Sequence, residues 1–243
     1  MQNYSIFLKY SENIEVYYKL VYTKYGGELF NMSKLWNDVD AYFTSQLNAD
    51  DEVITGILEN EEERNEAASG QGKFLQLLAR IKGAKTVLEI GTLSGYSTLW
   101  LGKALPEEGR MATLESNPEY AKTAFEHIKA AELDDKVEVI EAPAENTLPK
   151  LLERGYPRFD FIYINANQKH YPDYLEAAIN MAKSGSVIVT ERKIMESFEE
   201  EEAKCPKMQR FLQILTEHPR VDATAVQTVG SRGHDGFVMA VLD

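Results

Sequence analysis

A single cysteine, Cys205, stands in the 243 residues. One thiol excludes an internal disulfide and any cysteine-rich zinc site, and it places the expected home of the chain in a reducing cytoplasm. Long apolar stretches are missing too. No run approaches the roughly 18 apolar residues that a membrane-spanning helix needs, so no membrane partner is expected. The opening MQNYSIFLKYSENIEVYYKL lacks a basic region followed by an uninterrupted apolar stretch, so no secretory signal is read there. Positive charge is scarce: 26 Lys and Arg against 39 Asp and Glu give a net charge of −13. Such a field repels phosphate backbones and anionic lipid, which excludes unaided nucleic-acid or membrane-surface binding and leaves small molecules as the expected partners. What remains, 44% hydrophobic and 27% charged, is the composition of a folded globular chain.

The first 32 residues differ from the rest. Six of the 13 tyrosines fall there (Tyr4, Tyr10, Tyr17, Tyr18, Tyr22 and Tyr25), ahead of a Gly26-Gly27 break. We read residues 1–32 as a helical extension that packs on the body or on a partner subunit, and residues 33–243 as the main domain. Two helices are expected between residues 34 and 65, broken at Asn48-Ala49-Asp50-Asp51, and a third over 71–82, where apolar residues recur at helical spacing and stop at Gly83. Beyond Gly83 short apolar runs at 86–90, 111–114, 137–140, 159–164 and 187–190 alternate with amphipathic stretches at 96–104, 118–131, 144–153 and 171–182. That alternation predicts an α/β fold, a parallel sheet with helices on both faces. A helix at 206–217, a strand at 224–229, a turn-rich Gly230–Gly236 segment and a strand at 237–242 then predict a closing hairpin, which puts the last strand antiparallel.

The most informative stretch is Val87-Leu88-Glu89-Ile90-Gly91-Thr92-Leu93-Ser94-Gly95-Tyr96-Ser97, a buried strand running through a glycine-bearing loop into a helix. Glycines there allow a tight turn and close approach of a ligand, and the helix start offers N–H groups and the Ser97 hydroxyl. In open α/β sheets ligands bind at the carboxyl ends of strands. The next strand ends in Thr113-Leu114-Glu115-Ser116-Asn117-Pro118, where an acid can accept hydrogen bonds from both hydroxyls of a ribose. The third ends in Glu141-Ala142-Pro143-Ala144-Glu145, where an adenine edge would lie. Three spaced sites at three successive strand ends point to a nucleoside ligand.

These runs, LEIGTLSGYSTLWLGKALPEEG, TLESNPEYA, APAENTLPKL and FDFIYINANQKHYPDYLEAA, resemble the S-adenosylmethionine-dependent O-methyltransferases of the catechol and caffeoyl-CoA type, and the closing TVGSRGHDGFVMAV is similar to the final hairpin of bacterial members. The resemblance covers residues 33–243. It implies a class I methyltransferase (Rossmann-like) sheet of seven strands with the last antiparallel, S-adenosylmethionine (SAM) as cofactor, S-adenosylhomocysteine (SAH) as product, and a homodimer. Carried over position by position, Glu89 and Ser97 match residues that hold the methionine part. Gly91, Leu93, Gly95 and Tyr96 line the loop beneath the cofactor, Glu115 matches the ribose acid, and Ala144 and Glu145 match the adenine edge, with Asn165 completing the cofactor side.

The chain departs from this family at the reaction centre. The family's divalent metal is held by an aspartate after the fourth strand and an Asp-Asn pair after the fifth; here Ile164-Asn165-Ala166-Asn167-Gln168 and Glu191-Arg192 stand in those places. Hard cations want several oxygen ligands, preferably anionic, and of these residues only Glu191 supplies charge. No metal is expected. The family's basic lysine falls at Gln168, which takes no proton at neutral pH. His170, a residue type whose unperturbed side chain suits base catalysis near neutral pH, and Lys169 beside it are the candidate bases. Arg192 is the candidate source of the positive charge the metal would have supplied, paired with Glu191 or set against an anionic group of the substrate. The expectation is methyl transfer to a small-molecule hydroxyl without a divalent metal. The alternatives are a silent SAM- or SAH-binding protein and a diverged enzyme with non-methylating chemistry.

Overall fold

The computed structural model describes residues 32–47, 52–59, 69–191, 206–230 and 233–243. The helices are α1 (Met32–Leu47), α2 (Glu52–Glu59), α3 (Ser69–Lys82), α4 (Tyr96–Gly102), α5 (Pro118–Ala130), α6 (Ala144–Thr147), α7 (Tyr171–Met181) and α8 (Pro206–Glu217). The strands are β1 (Thr86–Ile90), β2 (Arg110–Glu115), β3 (Val137–Glu141), β4 (Phe159–Ile164), β5 (Ala182–Glu191), β6 (Val221–Gly230) and β7 (Gly233–Leu242). They form one sheet in the order β3-β2-β1-β4-β5-β7-β6. Strands β1 to β5 pair in parallel, and β7 runs antiparallel to both β5 and β6. The seven strands and the antiparallel last strand are as expected.

Strand periodicity divides the core into two layers. Val87, Phe161, Tyr163, Val189 and Phe237 pack against α2 to α5, whereas Leu88, Ile90, Ile162, Ile164, Ile188 and Val238 pack against α7 and α8. With both faces covered, β1 and β4 are apolar apart from Thr86, Glu89, Asp160 and the Tyr163 hydroxyl, so a polar side chain in the middle of β1 has no water to turn to. Glu89 is one, pointing with Val87 toward the α4 layer. Helix α3 lies close against α4. A Cβ on Gly72 would sit 2.0 Å from Cδ1 of Trp100 and 2.8 Å from Cε1 of Tyr96, so this crossing admits only glycine.

Three local expectations change. The helix expected over 144–153 ends at Thr147 and continues as a 3-10 turn over Leu148–Lys150; Pro149 has no N–H to continue an α-helical ladder. The strand expected at 187–190 begins at Ala182, which pairs with Phe159 across a register shift. The turn-rich Gly230–Gly236 segment is mostly strand: pairing runs to Gly230↔Gly233, so His234 and Asp235 pair with Val229 and Thr228. The hairpin loop is therefore two residues long, the favoured length for antiparallel neighbours. The extension over residues 1–31, the break at 48–51 and the acidic segments at 60–66 and 196–202 lie outside the described residues.

Candidate functional site

The carboxyl ends of β1, β2, β3 and β4 enclose a cleft of about 690 Å³. Its floor is Ile90, Gly91 and Leu93, one side is Leu114, Glu115 and Ser116, and its far rim is Ala142 to Glu145 with His170 and Tyr174. Asn165, Ala166 and Asn167 close the β4 side. Six of the ten expected cofactor positions, Gly91, Leu93, Glu115, Ala144, Glu145 and Asn165, thus share one cavity built from four strand ends, while Glu89, Gly95, Tyr96 and Ser97 do not line it.

The loop after β1 is set by backbone contacts. Gly91 (φ 96°) faces the β4 tip so closely that a Cβ there would fall 2.0 Å from the carbonyl oxygen of Asn165. The glycine is demanded by Asn165, before any ligand is considered. Leu93 (φ 50°) and Gly95 (φ 91°) also take left-handed conformations. The loop is tied to α5 by His127 Nδ1, which lies 2.8 Å from the Ser94 carbonyl.

Glu89 is fully buried beneath this loop. Its Oε1 accepts a hydrogen bond from Ser97 Oγ at 2.5 Å, and its Oε2 accepts from Thr98 Oγ1 at 2.5 Å and Thr113 Oγ1 at 2.6 Å. Burial drives its pKa up, the hydroxyls of Ser97, Thr113 and Thr98 pull it back, and the nearby Glu115 charge adds to the rise; the result is about 7. The Ser97 hydroxyl, expected to face an anion at the helix start, is therefore spent on Glu89. Glu115, 7% exposed, is fixed by backbone N–H groups: Oε2 accepts from Thr92 (3.3 Å) and Leu93 (2.9 Å), Oε1 from Asn117 (2.8 Å). A carboxylate clamped this way keeps lone pairs for a vicinal diol.

At the far rim Tyr174 Oη donates to Glu145 Oε1 at 2.9 Å, and His170 Nδ1 lies 3.5 Å from the same oxygen. The backbone N–H within this turn holds the Glu145 carboxyl below its ordinary value against burial, helped by Tyr174 and His170. His170 occupies the N-cap position of α7 without a side-chain cap bond. Lys169 is exposed; its N–H donates to Asn167 Oδ1 at 3.1 Å, and its carbonyl accepts from Lys207 Nζ at 2.7 Å. Tyr96 is buried, with its pKa raised to about 12 by burial, against Trp100 and near the Glu191 charge. It belongs to the core under the loop and does not line the cleft.

Glu191 ends β5 and is buried, one residue past the Ile164↔Thr190 pair that leads into Asn165. Arg192 and the side chain of Gln168 lie outside the described residues. As a donor set for a divalent cation, the neutral amide of Asn165 and the single carboxylate of Glu191 do not fit. Among the described residues no group of three or more His, Cys, Asp or Glu is arranged to hold a metal.

Sequence reasoning missed the hydroxyls of Thr98, Thr113 and Thr92, as well as Tyr174 and His127. Thr113 carried a usable signal: two residues before Glu115, it must share that acid's face of β2.

The seven-stranded order with an antiparallel β7, and a cleft at the carboxyl ends of β1 to β4 that Glu115 lines and beneath which Glu89 is buried, define a class I methyltransferase fold. The chain belongs to the O-methyltransferase family, which it matches over residues 50–240. The catechol O-methyltransferase of Mycobacterium tuberculosis is 41% identical over 212 residues, covering 84% of this chain and 95% of its own. Among solved structures, the O-methyltransferase from Bacillus cereus, in complex with SAH, is similar with a TM-score of 0.80 and 40% identity, covering 87% of this chain and 100% of that one. TomG from Streptomyces achromogenes, an O-methyltransferase involved in tomaymycin synthesis and solved with SAM, gives 0.81 and 33%, covering 87% and 98%.

Proposed function

We propose that this chain is a SAM-dependent O-methyltransferase that methylates a hydroxyl of a small molecule without a divalent metal. The observation that carries the reading is the pair of acids on neighbouring strands, Glu115 lining the cleft and Glu89 buried beneath its loop, in a family whose solved relatives hold SAM or SAH. Glu89 would receive the methionine ammonium, Glu115 the ribose hydroxyls, and Ala144 with Glu145 the adenine edge. The Glu145 contact supports placing His170 at that adenine rim as well, which takes it away from the role of base. Exposure argues the same for Lys169.

SAM, when bound, supplies an activated sulfonium methyl. What the chain adds is position: an acceptor oxygen held in line reacts without strong further help. An acceptor whose hydroxyl is already acidic arrives as an anion and needs no base. Arg192, following Glu191 at the end of β5, is the group we assign to hold that anion.

Calorimetric titration with SAH, then turnover on a panel of acidic phenols with and without EDTA, tests the reading. We expect micromolar SAH binding and turnover that EDTA leaves unchanged and Arg192→Ala lowers about tenfold, the scale of one charge-assisted hydrogen bond. Turnover abolished by EDTA and restored by magnesium would overturn metal independence. Binding with no turnover on any acceptor would favour a silent SAH-binding protein, which the altered residues Asn165, Gln168, Glu191 and Arg192 would explain.

A further inference from the structure

Beneath the cleft, β1, β2 and the loop between β1 and α4 share a chain of hydroxyls with a fixed direction. Thr113 is fully buried, and in the β1–β2 ladder it stands in register with Glu89. Its Oγ1 lies 2.6 Å from Glu89 Oε2 and 2.6 Å from Thr92 Oγ1. While Glu89 is ionised it only accepts, so the single Thr113 hydrogen goes to Glu89, and the Thr92 hydroxyl must donate to Thr113. Thr92, itself 2% exposed, gives its backbone N–H to Glu115 Oε2. Every hydrogen is thereby committed: Thr92 to Thr113, Thr113 to Glu89, and the Thr92 and Leu93 N–H groups to Glu115.

We propose that Thr113 is a positioning residue that ties the methionine-side carboxylate, Glu89, to the ribose-side carboxylate, Glu115, so that both ends of the cofactor are held as one unit. The proposal deepens the reading of this cleft as a SAM site and rests on it. Valine at 113 would keep the shape but remove both bonds. Glu89 would be left with two hydroxyl donors, and the buried Thr92 hydroxyl would lose its acceptor and its reason to hold the loop at Glu115. The groups facing Glu89 are Ser97 and Thr98 from α4, Thr113 and Glu115 from β2, and the Tyr163 phenol in register on β4. Among these only Glu115 carries charge, so the Thr113 bond bears directly on whether Glu89 is ionised when the ligand arrives.

The test is SAH calorimetry on the full chain between pH 6 and 8.5, for wild type, Thr113→Val, Thr113→Ser, Glu89→Gln and the Glu89→Gln/Thr113→Val double variant. Thr113→Val is expected to weaken SAH about tenfold at pH 7, the scale of one buried hydrogen bond to a charged group. It should also move the pH below which affinity declines upward, while Thr113→Ser restores both. The double variant should bind within about twofold of Glu89→Gln alone, because partners in one network are not additive. Thr92→Val cuts the same chain from the loop side and should reproduce the loss if Thr113→Val folds poorly. Wild-type affinity in Thr113→Val, or additive losses with an unmoved pH profile, would reduce Thr113 to a space-filling residue and overturn the proposal. A wild type that binds no SAH at any pH would instead fell the cofactor reading and this proposal together, an outcome visible before any variant is made.

Discussion

Two buried carboxylates stand at opposite ends of the same sheet and are treated in opposite ways. Asp160, at the amino end of β4, accepts the N–H groups of Lys85 and Thr86 and the Thr86 hydroxyl, each at 3.0 Å, and pairs with the Lys183 ammonium at 2.7 Å. Burial pushes its pKa up, but Lys183 and these donors outweigh it and hold the carboxyl below its ordinary value. Glu89, at the carboxyl end of β1, has hydroxyls instead; among the described residues no cation pairs with it, and burial lifts it to about 7. The amino end answers its charge from within and gains rigidity. The carboxyl end leaves a charge answered only by neutral donors, which suits the role proposed for Glu89 of meeting the cofactor ammonium.

The comparison breaks most sharply at Asp160. Removing Asp160 strands the Lys85 and Thr86 N–H groups, while the half-exposed Lys183 ammonium returns to water, so Asp160→Ala should cost about 2 kcal/mol of stability in chemical denaturation. Its affinity for SAH should not change, because nothing of the cleft is touched. A variant that kept its stability would show the network to be ornamental.

Glu89→Gln is the converse. It removes the charge proposed to meet the cofactor ammonium, and SAH affinity should fall roughly 50-fold by calorimetry, as for a lost charge-assisted hydrogen bond. Stability at pH 8 should hold or rise, since the folded state no longer carries a buried charge. Comparable losses of stability at both ends would erase the distinction drawn here.

The pH slopes of the two sites should also oppose each other. The folded-state pKa of Asp160 is depressed, so its contribution is present above the ordinary aspartate value of 3.8 and is lost as pH falls through the lower folded value. That of Glu89 is raised from 4.5 to about 7, so its burial costs nothing below about 4.5, costs more as pH rises to 7, and stays constant beyond. A ligand that needs the ionised form should bind more tightly as pH rises toward 7 and no better above it. Below 7 the SAH affinity should drop by up to about tenfold per pH unit, and Glu89→Gln should flatten the profile. A flat wild-type profile would place the Glu89 pKa well below 7.

The carboxyl end was more legible in the sequence than the amino end, for physical reasons. Gly91, Glu115 and Glu145 sit where strands run out, and a polar or glycine residue after an apolar run is visible in one dimension. Asp160 also breaks an apolar run, but its partners come from two distant segments, Lys85-Thr86 and Lys183, that no local pattern joins. The same holds for Thr113, whose meaning depends on lying beside Glu89 across two strands. Histidine is the residue type that suits a base, but where the 3-10 turn Gln168–His170 delivers this one, against Glu145 at the rim of the cleft, is not written in the local sequence. Pro149, which divides the helix expected over 144–153, was in plain view.

The smallest expected effect lies at the rim proposed for adenine, where Glu145 and His170 are exposed beside the buried Tyr174 and the contrast with Glu89 is one of solvent. The Glu145 side chain is 41% exposed and His170 39%, so water screens their interaction and a pair of this kind is worth little. What Tyr174 adds is direction: its hydroxyl fixes one Glu145 oxygen and leaves the other lone pairs toward the cleft. Tyr174→Phe should therefore weaken SAH by only about twofold, since a solvated hydrogen bond is readily replaced by water. Adenosine, which lacks the methionine end, should feel the same twofold loss, whereas Glu89→Gln should leave adenosine untouched. Titrating both ligands against both variants separates the two ends of the cleft. Were Tyr174→Phe to match Glu89→Gln in its effect on SAH, solvent exposure would not be what distinguishes the rim from the buried acid, and the adenine end would be a principal anchor of the cofactor.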